Sequence, residues 1–151
     1  MVKTSRRYED YLEAIYNISE TKGFARTKDV ARELDVRPPS VTEMLKKLQD
    51  EGFVNYERYG GVTLTEKGKK TGRNVRNRHE TIRKFLELML VSAKTADTDA
   101  CRIEHVLSQE SVDQIKKFVS FAEKCTEKPK WREYFKTFCR KGIHDCEHAK
   151  K

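Results

Sequence analysis

Two adjacent prolines, Pro38 and Pro39, separate two runs of helically spaced apolar residues, and they constrain the chain more than any other feature. Proline has no N–H to donate, so it is tolerated in the first turn of a helix and breaks one in the interior. A helix therefore starts here and the preceding one has already ended. Upstream, Val30, Ala31 and Leu34 predict a short helix with Thr27 as its N-cap and Asp29 in the first turn, where negative charge suits the helix dipole. Downstream, Val41, Met44, Leu45 and Leu48 form the apolar stripe of a helix that runs to about Glu51, with Ser40, Thr42, Glu43, Lys46 and Lys47 on its other faces. Before both, Leu12, Ile15, Tyr16 and Ile18 mark a first helix from Tyr8 to the turn at Thr21-Lys22-Gly23. Two short helices, a tight turn and a third helix with a polar start match a helix-turn-helix.

Gly52 ends the third helix, and Phe53 to Tyr59, then Gly60-Gly61, then Val62-Thr63-Leu64 read as a two-stranded hairpin, the wing of a winged helix. The first turn of such a recognition helix enters the major groove, so Arg37, Pro39, Ser40 and Thr42 are the candidates for base edges. Arg26, Lys46, Lys47, Arg58 and Tyr59 suit contacts to phosphate.

Charge alone says less. The chain of 151 residues carries a formal net charge of +8, but Lys67 to Lys84 holds eight basic residues against Glu80 alone, and Lys116 to Lys141 holds nine against three Glu. The remainder has fifteen basic and twenty acidic residues. The first basic stretch opens a long helix at Thr65-Glu66-Lys67-Gly68, predicted to reach about Leu90, which puts its charge beside the wing as a grip on phosphate. No apolar run approaches the roughly 18 residues that span a bilayer, and the N-terminus lacks the apolar core of a secretory signal, so a cytoplasmic location without membrane contact is expected. Four cysteines are too few for a disulfide scaffold and read as buried thiols or metal ligands.

Cys101, Glu104 and His105 stand at i, i+3 and i+4, a spacing that on a helix aims a thiolate, a carboxylate and an imidazole at one point. Asp10 and Glu13 place two oxygen donors on one face of the first helix. Several segments then resemble the DtxR/MntR family of metal-dependent repressors, in its short two-domain form, over about residues 5 to 125. They are E-D-Y-L-E-A-I-Y at Glu9 to Tyr16, P-P-S-V-T-E-M-L-K-K-L at Pro38 to Leu48, L-T-E-K-G at Leu64 to Gly68, R-H-E at Arg78 to Glu80 and C-R-I-E-H-V-L-S at Cys101 to Ser108.

The resemblance implies that Asp10, Glu13, His79, Cys101, Glu104 and His105 are metal ligands. The manganese branch has Glu where this chain has Cys101, and the iron-responsive branch has Cys there with Met in place of Asp10, so the set is a hybrid. Mn(II) prefers oxygen and nitrogen, whereas a thiolate tilts the expectation slightly to Fe(II), with Mn(II) close behind. The ancillary site of longer relatives is not expected, because Arg83 and Asp97 stand where its carboxylate and second histidine would be.

The expected fold is mainly α, an N-terminal winged helix-turn-helix with a small β-hairpin wing followed by a helical dimerisation domain. The expected divisions are residues 1–66 for DNA binding, 67–141 for metal binding and dimerisation with 67–90 as a linker helix, and 142–151 as a basic tail. Apolar faces from Phe85 to Phe121 exceed what one small bundle needs, which points to a homodimer on a palindromic operator in double-stranded DNA. The expected function is a metal-dependent repressor of metal-uptake genes, activated by Fe(II) or Mn(II), and not an enzyme. The alternative is a winged-helix regulator that senses a thiol oxidant or an organic ligand. Near the C-terminus, Cys125, Cys139, His144, Cys146 and His148 have the chemistry of a Zn(II) site but no standard spacing, so incidental residues of a basic tail are the other reading.

Overall fold

The computed structural model describes residues 5–124 and 130–142. Helices α1 (Arg6–Lys22), α2 (Thr27–Glu33) and α3 (Pro38–Asp50) come first, followed by the hairpin strands β1 (Val54–Glu57) and β2 (Gly61–Leu64). Then follow α4 (Glu66–Leu88), α5 (Ala93–Ile103), α6 (Gln109–Lys124) and α7 (Lys130–Lys141). The chain forms two compact units that divide within α4, at Asn77 and Arg78. Among the described residues no helix is long and apolar enough to cross a membrane.

The first unit is the predicted winged helix. Its core takes Leu12 and Ile15 from α1, Val30 from α2, Val41, Leu45 and Leu48 from α3, and Phe53, Val54 and Val62 from the wing. Arg37, not a proline, is the N-cap of α3, and Pro38 is its first residue, as the missing N–H requires. At the other end Gly52 adopts φ 74°, its N–H donating to the Gln49 carbonyl at 2.9 Å while Phe53 N–H donates to Leu48 at 2.8 Å. That pair of bonds is a Schellman cap, and it turns the chain directly into β1. The wing pairs Val54 with Leu64 and Glu57 with Gly61, and Ala25 adds a bridge to Val62 that ties the α1–α2 connection to the hairpin.

One detail departs from expectation. Thr27 is the first residue of α2 and Arg26 its N-cap, with no side chain capping the helix. The anchoring comes from Asp29, buried in the first turn, which accepts from Lys22 Nζ at 3.2 Å and Arg32 Nη2 at 3.1 Å. Helix α4 begins with a side-chain cap, since Thr65 Oγ1 accepts from Gly68 N–H at 3.1 Å. It then passes close over α1, where a Cβ on Gly72 would lie 2.7 Å from the Leu12 carbonyl oxygen.

The second unit buries Ile82 of α4, Ala96 and Ala100 of α5, and Val112, Val119 and Ala122 of α6. Phe118 meets Phe85 edge-to-face at 5.7 Å between ring centroids and Trp131 at a tilt at 6.1 Å, joining α4, α6 and α7.

The Lys22 hydrogen bond, against the opposing effect of burial, holds the Asp29 carboxyl below its ordinary value of 3.8, with help from the Lys22 and Arg32 charges and the Arg26 backbone. A lowered folded-state pKa means that this stabilisation is present above the ordinary value and is lost as pH falls through the lowered one. Asp29→Asn is expected to lower stability at neutral pH and to flatten its dependence on acid, read from urea denaturation at a series of pH values.

Candidate functional site

In the second unit three ionisable side chains are buried against one another. His79 lies on α4, Glu104 is the C-cap of α5, and His105 follows it in the turn. The Glu104 carboxylate, 1% exposed, holds an imidazole at each oxygen: Oε2 is 3.1 Å from His79 Nδ1 and Oε1 is 3.2 Å from His105 Nε2. The His105 side chain is itself 2% exposed. The other edge of the His79 ring faces outward, with Nε2 3.0 Å from Oδ1 of Asp97. Arg78 braces the segment beyond by donating from Nη2 to the Leu107 carbonyl at 2.8 Å.

A buried carboxylate is costly unless paired. Burial pushes the Glu104 carboxyl up, but the hydrogen bonds from His105 and His79, with their charges, outweigh it and hold the group below the ordinary glutamate value. The cluster is thus an ionised oxygen donor set between two nitrogen donors, the mixture that a divalent ion of borderline hardness takes.

The remaining candidates are placed as follows. Asp10 and Glu13 are half-buried on α1 in the first unit, and Cys101 is exposed on α5. Cys101 and Glu104 stand three residues apart at the end of α5, Glu104 as its C-cap with helical backbone and its N–H on the Ala100 carbonyl, and His105 belongs to the following turn. Glu104 and His105 come together, and Cys101 is exposed. Asp97 and Arg78 were not singled out as part of this cluster. The signal for Asp97 was available, since it stands four residues before Cys101 and seven before Glu104 on one helix face. Of the C-terminal candidates, Cys139 is exposed on α7, while Cys125, His144, Cys146 and His148 lie outside the described residues.

On the first unit, Arg37, Pro39 and Ser40 are exposed at the start of α3, and Thr42 is half-buried with its hydroxyl donating to the Pro38 carbonyl at 3.2 Å. Lys46 and Lys47 are exposed one turn on, Lys47 paired with Glu43 at 2.7 Å. Arg26 lies over the Phe24 ring, and Arg58 over the ring of Tyr59, which is 93% exposed at the wing tip.

Residues 3–62 match the family described as "Iron dependent repressor, N-terminal DNA binding domain", and residues 65–132 match "Iron dependent repressor, metal binding and dimerisation domain". The chain belongs to the DtxR/MntR family of metal-dependent repressors. It is 45% identical over 113 residues to the HTH-type transcriptional regulator MntR of Oceanobacillus iheyensis, covering 75% of this chain and 77% of that one. Among solved structures it resembles the manganese regulator SloR with a TM-score of 0.66 and 33% identity, over 76% of this chain and 54% of the SloR chain. It also resembles a manganese-dependent transcriptional repressor in complex with manganese, with a TM-score of 0.69 and 27% identity, over 76% of this chain and 53% of that one. The chain spans about half the length of both of these structures. As a member of this family it is a metal-dependent DNA-binding transcriptional repressor and not an enzyme.

Removing the shared carboxylate leaves two buried imidazoles without their partner. Glu104→Ala is expected to destabilise the metal-free protein by about 1–3 kcal/mol, the usual cost of an unsatisfied buried polar group. Urea denaturation in chelator measures it.

Proposed function

We propose that this repressor responds to Mn(II) ahead of Fe(II) and, when loaded, binds a palindromic operator as a homodimer to silence metal-uptake genes. The observation that carries the reading is the buried cluster of His79, Glu104 and His105, which offers nitrogen and oxygen while the thiol of Cys101 is exposed. Such a donor set suits manganese better than a thiolate-led one. The similar structures of the manganese regulator SloR and of a manganese-dependent repressor point the same way. His79, Glu104 and His105 would hold the ion, with Asp10 and Glu13 carried over from the family pattern as further ligands. A bound divalent cation neutralises the carboxylates and cross-links donors that are distant in sequence.

The coupling to DNA is thermodynamic. Residues that gather around an ion lose freedom that DNA binding would otherwise have to remove, so each event favours the other. Arg37, Pro39, Ser40 and Thr42 would meet base edges from the start of α3, and Arg26, Lys46, Lys47, Arg58 and Tyr59 would meet the backbone.

The test is fluorescence anisotropy on duplexes selected from a random library by the loaded protein. Under anaerobic conditions Mn(II) is expected to raise affinity over chelator by about 5- to 150-fold, the range of ordinary allosteric coupling. At matched free concentration Fe(II) is expected to do less. Equal affinity in chelator and in metal would sink the proposal, and a stronger Fe(II) response would return Cys101 to the centre of the site. Separately, Arg58→Ala and Lys46→Ala are each expected to reduce the slope of log affinity against log salt by about 1, on any duplex.

A further inference from the structure

We propose that Asp97 is a positioning residue for the metal centre, holding His79 so that Nδ1 faces the ion. This inference rests on the metal reading above. The His79 ring has a carboxylate at each edge, but the two carboxylates differ. Glu104 is buried, and its second oxygen meets the buried His105 ring, so the donors converge on the Nδ1 edge. Asp97 is 65% exposed, reaches only the Nε2 edge, and is 3.0 Å from it.

A neutral imidazole has one lone pair for a metal and one N–H for a partner. With the lone pair on Nδ1, beside Glu104 and His105, the Nε2 hydrogen donates to Asp97. The arrangement is a carboxylate–histidine–metal triad, in which the outer carboxylate fixes the tautomer, sets the ring plane and makes the coordinating nitrogen more basic. Asp97 is well placed for the role, since α5 carries it and Glu104 caps the same helix. One rigid element therefore sets both neighbours of the ring.

Two measurements test this. Mn(II) affinity, read by electron paramagnetic resonance of the free aquo ion, is expected to fall about 10- to 100-fold in Asp97→Ala, the usual cost of losing an outer partner of a metal-bound histidine. It is expected to recover in large part in Asp97→Asn, whose amide oxygen still accepts the Nε2 hydrogen. In the unaltered chain loaded with Zn(II) as a diamagnetic probe, nitrogen-15 NMR is expected to show His79 metallated at Nδ1 and protonated at Nε2. Equal Mn(II) affinity in all three chains, or zinc at Nε2, overturns the proposal. The nitrogen assignment uses the unaltered chain and so decides even if a variant misfolds. Failure of the unaltered chain to bind Mn(II) at all refutes the metal reading, whereas intact binding with no effect of Asp97→Ala refutes this inference alone.

Discussion

A carboxylate that is 1% exposed can remain ionised only if something replaces the water it has lost, and at Glu104 the His79 imidazole bonds one oxygen while the His105 imidazole lies 3.2 Å from the other. Much of the second unit is arranged around that requirement. Glu104 caps α5 and His105 opens the turn after it, and α4 supplies His79 from across the unit. Arg78, one residue before His79, clamps the turn by bonding the Leu107 carbonyl.

Several basic residues along α4 are paired within the protein. Lys67 donates to the Glu51 carbonyl at 2.8 Å and lies 3.9 Å from the Phe53 ring centre, which places a cation at the C-terminal end of α3 where the helix dipole favours it. Lys69 pairs with Glu66, Arg73 bonds the Tyr16 hydroxyl, Arg83 bridges Glu80 and Glu87, and Lys84 pairs with Glu123. Exposed pairs of this kind contribute little stability each. Arg37, Lys46 and Arg58 are exposed at the start of α3, one turn on and in the wing.

What could be read from sequence divides along the same physical line. The winged helix was legible because its signals are local: Pro38 fixes a helix start, Gly52 a stop, and apolar spacing each face. The family motifs then located His79, Glu104 and His105. Asp97 was harder, because its significance lies in a contact with a ring on another helix, 18 residues away in sequence. The missed cap at Thr27 has a similar cause. Its residue type suits an N-cap, but the buried Asp29 with Lys22 and Arg32 anchors α2 through its side chain, and the first turn begins one residue earlier than capping preference alone predicts.

The second unit also shows why a metal and a partner subunit belong to the same domain. Its buried apolar residues are mostly small, with Ala96, Ala100 and Ala122 beside Val112, Val119 and Ile82. Phe121 and Phe138, larger than these, remain exposed in the single chain together with Val106. Exposed apolar side chains of this kind suit the dimerisation domain that residues 65–132 match. A thin core gains stability from two external sources, a covered apolar face and an ion that gathers buried donors, and both act by mass action. On the proposed reading, occupancy of the metal site and assembly of the dimer would both favour the same folded arrangement, and free metal concentration would set how much of the protein is competent to bind DNA.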